Sequence, residues 1–231
     1  MTDQGAPTPA APAKPKVFGF SALVTGFARM WRGLVPAIVV IVLNAVVQAL
    51  LTWWNPQVAL SFAFVVAFLI SAAVLIVWFA VLSRTALGAV SGRVSVPEAI
   101  SGTRGVLPRF TVWVVAQWLL ILIGFLIFPG LGIVVGIVTA FVPLAAADGQ
   151  ANPVVANFAA IKDRWGRWLL TSVIVVVLAL ILLLLSAVNV FFIHGLMASL
   201  IFWLVFGFVA FWLLTAYAAI YRSTRVGAVK E

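Results

Sequence analysis

RFTVWVVAQWLLILIGFLIFPGLGIVVGIVTAFVPLAAADG, the stretch from Arg109 to Gly149, decides the fold. No charged residue falls between Arg109 and Asp148, and Pro129–Gly130 divides the run into two apolar halves. Each half is close to the roughly 20 residues a helix needs to cross a bilayer. The halves, Phe110 to Phe128 and Gly130 to Ala147, therefore read as an outward and a returning span. Their link is so short that a re-entrant hairpin is the alternative.

Working outward, four more stretches have the same character: Leu34 to Trp53, Val58 to Leu82, Trp168 to Val188 and Leu196 to Tyr221. The expected fold is all-α, a polytopic membrane protein with six transmembrane helices. The links around Asn55 to Gln57, Pro129 to Leu131 and Asn189 to Gly195 carry no lysine or arginine. All fourteen basic residues lie on the other side: Lys14, Lys16, Arg29, Arg32, Arg84, Arg93, Arg104, Arg109, Lys162, Arg164, Arg167, Arg222, Arg225 and Lys230. Short loops rich in Lys and Arg stay in the cytoplasm, so both termini are expected there.

Three short segments precede the first, third and fifth spans and have helical apolar spacing with cations to one side. In SALVTGFARMWRGL the apolar residues are Leu23, Val24, Phe27, Met30, Trp31 and Leu34. In SVPEAISGTRGVLPRF they are Val96, Ile100 and Leu107, with Thr103. In NPVVANFAAIKDRWGRW they are Val154, Phe158, Ile161 and Trp165. Ser95 with Glu98 three residues on forms a capping box, and Asn152 before Pro153 is an N-cap followed by proline at the first helical position. All three are expected to lie as cytoplasmic interfacial helices with their apolar sides in the lipid boundary. The chain thus divides into a Pro- and Ala-rich disordered arm over 1–16, a membrane domain over 17–222 built from three units of interfacial helix and hairpin, and a cytoplasmic tail over 223–231.

With 65% hydrophobic and 8% charged residues, the chain stands far from a water-soluble domain, which is about a quarter charged. The net charge of +9 borders the apolar runs instead of forming a nucleic-acid-binding face, so nucleic acid is not expected as a partner. Anionic phospholipid is, through Arg29, Arg32, Arg104, Arg109, Lys162, Arg164 and Arg167. The absence of cysteine excludes disulfides and thiolate chemistry.

An enzyme is not expected. The chain has five acids and one histidine, and no two carboxylates are placed for general acid and base work. Asp163 lies between Lys162 and Arg164, and Asp148 opens a turn with Gly149. His194 stands without companion ligands, so neither a metal nor another cofactor is implied. Within the spans the strongly polar groups are Asn44, Gln48 and Gln117. Asn44 and Gln48 lie four apart on one helical face, suited to bonding a neighbouring helix. Gly132 and Gly136 form a small-xxx-small pair for close helix approach, whether within the chain or onto a partner, and Pro143 is placed to kink the same segment.

The stretches Ala86 to Leu120 and Phe128 to Leu170 resemble the membrane domain found beside some glycerophosphodiester phosphodiesterases, and the related YciC-like family. The matching positions are Gly92, Val94, Ser95, Glu98, Ala99, Pro129, Gly130, Asp148 and Gly149. That resemblance implies a six-helix architecture. It does not bring the phosphodiesterase activity, whose soluble domain would need metal-binding carboxylates and histidines that this chain lacks. In size, Pro/Ala arm and general character the chain is also similar to LucB-type accessory subunits of Mce lipid-import complexes. This second resemblance implies a non-catalytic membrane subunit whose partners are other integral membrane subunits, such as those of an Mce-type lipid transporter. The Ala- and Val-rich composition and arginine bias suit a bacterial plasma membrane.

Overall fold

The computed structural model describes residues 20–54, 61–162, 165–192 and 195–228, apart from the side chains of 167, 182–183, 185–192 and 224–228, and its elements are helices throughout. In chain order they are α1 (Phe20–Met30), a 3-10 turn (Trp31–Gly33), α2 (Leu34–Trp54), α3 (Phe62–Ser91), α4 (Val96–Arg104), α5 (Leu107–Ile127), α6 (Pro129–Val138), α7 (Val142–Ala147), α8 (Pro153–Lys162), α9 (Trp165–Phe192) and α10 (Leu196–Ala228). The linking residues Asn55 to Gln57, Asp163 and His194 lie outside the described residues, as does the 1–16 arm.

Five helical stretches are long and apolar enough to cross a membrane: Phe20–Trp54, Phe62–Ser91, Leu107–Ile127, Pro129–Ala147 and Leu196–Ser223. A shorter apolar stretch, Trp168–Ile181, lies on α9. Outward-facing Phe68, Leu69, Val112, Leu119, Leu126 and Ile127 are exposed. Water tolerates no such continuous apolar sheath, whereas hydrocarbon solvates it. The chain fits a multi-pass membrane protein.

Three departures from the expected elements have local causes. The first amphipathic segment runs into the first span, joined by the 3-10 turn instead of a separate loop. Pro36 explains the turn: it has no N–H for the carbonyl of Arg32, four residues earlier. That carbonyl accepts instead from Val94 N at 3.1 Å. α3 continues past the expected end at Leu82 to Ser91, because Ser83, Thr85 and Ala86 are buried against neighbouring helices. The segment after Pro129 is two helices, α6 and α7, separated at 139–141.

α10 is the hub, packing along α2, α1 and α3. Small residues set these approaches. A Cβ on Gly26 would stand 2.7 Å from Ala216 Cα, and one on Gly207 would stand 2.6 Å from Ile41 Cγ2. α5 and α6 form a hairpin of the same kind, where a Cβ on Gly124 would lie 2.9 Å from Gly132 Cα. Aromatic contacts fill the larger gaps: Trp78 stacks on Phe206, and Phe79 meets both Phe110 and Trp118.

Both anticipated caps have their bonds. Ser95 Oγ accepts from Glu98 N at 3.4 Å, while Ser95 N donates to Glu98 Oε2 at 2.8 Å. The Ser95 backbone, and then its side chain, hold the Glu98 carboxyl below its ordinary pKa. Asn152 Oδ1 accepts from Val154 N and Val155 N, both at 3.1 Å.

Candidate functional site

Three clusters hold much of the interior polar chemistry of the described residues. The first is the break between α6 and α7. Pro143 supplies no N–H to the carbonyl of Thr139, and Gln117 Nε2, from the middle of α5, donates to that oxygen at 2.9 Å. The same amide lies 2.9 Å from Thr139 Oγ1. From α8, Asn157 Oδ1 accepts from Phe141 N at 3.0 Å and Asn157 Nδ2 donates to Val138 O at 2.8 Å. Two side-chain amides thus replace the helical bonds lost at the break. Irregular backbone within a membrane protein persists where protein groups re-satisfy it.

Asn157 is fully buried, and the sequence reading missed it. The apolar set of its helix drew attention to Val154, Phe158, Ile161 and Trp165. Phe158 and Trp165 are exposed, and the face turned to the protein is Pro153, Asn157, Ala160 and Ile161. A lone amide on a face otherwise made of small and branched residues was the available signal.

The second place is the α7–α8 turn, where Gly149 has φ +77°. Asp148 ends α7, next to the negative pole of that helix, and its carboxylate is only 8% exposed. Arg222 Nη2 of α10 meets Asp148 Oδ1 at 2.9 Å. Tyr221 Oη and Gln150 Nε2 donate to Asp148 Oδ2 at 3.3 and 3.4 Å. Arg84 Nη1 of α3 donates to the Ala147 carbonyl at 3.1 Å. Guanidinium groups here answer both the carboxylate and the carbonyl end of α7. The Asp148–Arg222 pair was not anticipated, since its members stand 74 positions apart.

The third place joins α2 to α3. Ser71 Oγ donates to Gln48 Oε1 at 2.8 Å, and Gln48 Nε2 lies 3.4 Å from Ser71 O. Asn44 is buried beside it, its Oδ1 3.5 Å from Gln48 Nε2.

The remaining residues singled out from sequence are dispersed. Gly132 is buried against Phe125 of α5, and Gly136 faces Ile121 at ordinary contact distance, so the glycine pair is occupied by this chain's own hairpin. Arg29 Nη1 donates to Val90 O at 3.4 Å, and Arg109 Nη2 donates to Ala151 O. Arg32, Arg104 and Lys162 are exposed. Arg164 and the side chain of Arg167 lie outside the described residues. Among the described residues no group of three or more His, Cys, Asp or Glu is placed to hold a metal.

Comparison with known proteins adds no assignment: no family model matches the chain, and no curated protein and no solved structure is significantly similar to it.

Proposed function

We propose that this chain is a non-catalytic integral membrane accessory subunit of a larger envelope complex that moves lipids or fatty acids. The observation supporting it is the use to which interior polar groups are put. Gln48, Gln117 and Asn157 each fasten one helix to another, a scaffold's arrangement. Ion- and proton-coupled transporters instead line their path with ionisable side chains. The similarity to LucB-type subunits selects lipid import as the task of the complex and an Mce-type transporter as the partner. A tagged copy should retrieve transporter subunits in mild detergent, and deletion should lower lipid uptake. A protein that purifies alone from a strain whose uptake survives its deletion contradicts the assignment.

A free-standing lipid-binding or lipid-moving protein is the second reading. An apolar surface at the end of α2, formed by Val47, Leu50, Leu51, Trp53 and Trp54, favours it. Activity of the purified chain in liposomes would select it.

In the proposed placement the chain crosses a bacterial plasma membrane six times, the fifth time on α9. Both termini and the basic ends of the helices face the cytoplasm, and α1, α4 and α8 lie at that interface. Ser61 and Ser101 are exposed, and the chain has no cysteine of its own. With an impermeant thiol reagent on intact cells, Ser61→Cys should label and Ser101→Cys should not; labelling of the second alone would reverse the orientation.

A further inference from the structure

We infer that the junction of α1, α2 and the α3–α4 loop is a binding site for one anionic phospholipid, its phosphate held by Arg29, Arg32 and Arg93. The inference rests on the bilayer placement proposed above, and is independent of the accessory-subunit assignment.

The seat is built by backbone chemistry. Because Pro36 leaves the Arg32 carbonyl without a helical donor, Val94 N takes it at 3.1 Å. The loop that carries Arg93 is thereby tied to the turn that carries Arg32. Arg29 reaches the same loop from one turn earlier, its Nη1 on the Val90 carbonyl at the end of α3. Val94 itself is pressed onto α3 at Gly88, where a Cβ would stand 2.6 Å from Val94 Cγ2. Three arginine-bearing segments are thus held at one junction by two hydrogen bonds and a packing contact.

Among the described residues no acid answers them. Among the described residues the one ion pair is Asp148–Arg222, and the acid nearest in sequence, Glu98, turns its carboxylate onto Ser95 N. Arg32 and Arg93 are exposed, and no described group accepts from either side chain. Like charges held together without a counter-ion favour an anion, and the guanidinium fork matches phosphate geometry.

What separates a lipid from a free anion is the surface alongside. Phe20, Val24, Phe27 and Trp31 are all exposed, spaced along one side of α1 and into the 3-10 turn. Phe27 and Trp31 meet edge to face with ring centroids 5.8 Å apart. The stripe ends at Trp31, next to Arg32 in the chain and on a different side of α1 from Arg29, so one lipid can lay its acyl chain along the stripe and its phosphate on the flanking arginines.

The test is native mass spectrometry of the full chain in detergent, titrated with phosphatidylglycerol or phosphatidylcholine. The wild type should prefer phosphatidylglycerol. Arg32→Gln with Arg93→Gln should weaken it about 30-fold, each arginine contributing a step of about five-fold. Arg225→Gln with Lys230→Gln removes the same charge from the C-terminal tail and should weaken it less than about three-fold. Arg32→Lys with Arg93→Lys should recover much of the binding, which separates lost charge from misfolding. Equal losses from the two glutamine pairs would mean diffuse attraction and overturn the site. Displacement of the lipid by equimolar inorganic phosphate would also overturn it, making the junction a free-anion site. Failure of the wild-type chain to enter liposomes would count against the bilayer placement instead.

Discussion

Asn157→Leu should be among the most damaging single substitutions in the described part of the chain, lowering stability by about 2–6 kcal/mol. Leucine is of similar size, so the loss isolates the amide. It strands Phe141 N–H and Val138 C=O, which Asn157 holds at 3.0 and 2.8 Å, and each buried backbone group left unpaired costs about 1–3 kcal/mol. Phe141 N–H finds no water readily, since Asn157 and Phe141 are fully buried, and Val138 is half-buried. Gln117→Leu is the internal comparison. The Thr139 carbonyl that it serves also accepts from Val142 N at 3.0 Å, so its loss should stay near 0.5–1.5 kcal/mol, an ordinary net hydrogen bond. SDS-titration unfolding in mixed micelles, followed by tryptophan fluorescence, measures both. If Asn157→Leu costs no more than Gln117→Leu, the break does not depend on the α8 amide.

This pair of residues also shows what could be read from the chain alone. Gln117 stands out because it interrupts an otherwise apolar span, and Pro143 marks a defect four residues after Thr139. Joining the two requires knowing that α5 and the α6–α7 segment are antiparallel neighbours in a particular register, which composition does not specify. Asn157 was harder. Its helix was read for the side that meets lipid, and hydrophobic periodicity finds such a side well in water but poorly in a bilayer. There the outward surface is apolar too, and the protein-facing side is marked by small and polar residues. α1 shows the same inversion: Ala22, Leu23, Gly26 and Met30 are buried while Phe20, Val24, Phe27 and Trp31 are exposed. Caps were legible for the opposite reason. Ser95 with Glu98 and Asn152 with Pro153 act within one turn, so no tertiary knowledge is needed. The continuity of α1 with α2 depends on a partner 62 positions away for the carbonyl that Pro36 frees, since Val94 bonds Arg32.

Arg222→Met should cost about 3 kcal/mol, the low end of what removing one partner of a buried ion pair costs. The low end applies because Arg222 is 37% exposed while Asp148 is 8% exposed, so water retains some access to one side of the pair. With methionine in place, the Asp148 carboxylate keeps Tyr221 Oη and Gln150 Nε2 at 3.3 and 3.4 Å but loses the Arg222 guanidinium, beside the carbonyl pole of α7. Asp148→Asn alone should cost less. The neutral amide leaves no buried negative charge to balance, and the arginine left behind can turn toward solvent. The decisive measurement is the double variant: Asp148→Asn combined with Arg222→Met should be more stable than Arg222→Met by about 1–2 kcal/mol, because it removes the buried charge that Arg222 no longer faces. Additive losses in the same SDS titration would mean that the two side chains act independently. The pair would then hold no tension between α7 and α10, and the Arg84 bond to the Ala147 carbonyl would be what secures the end of α7.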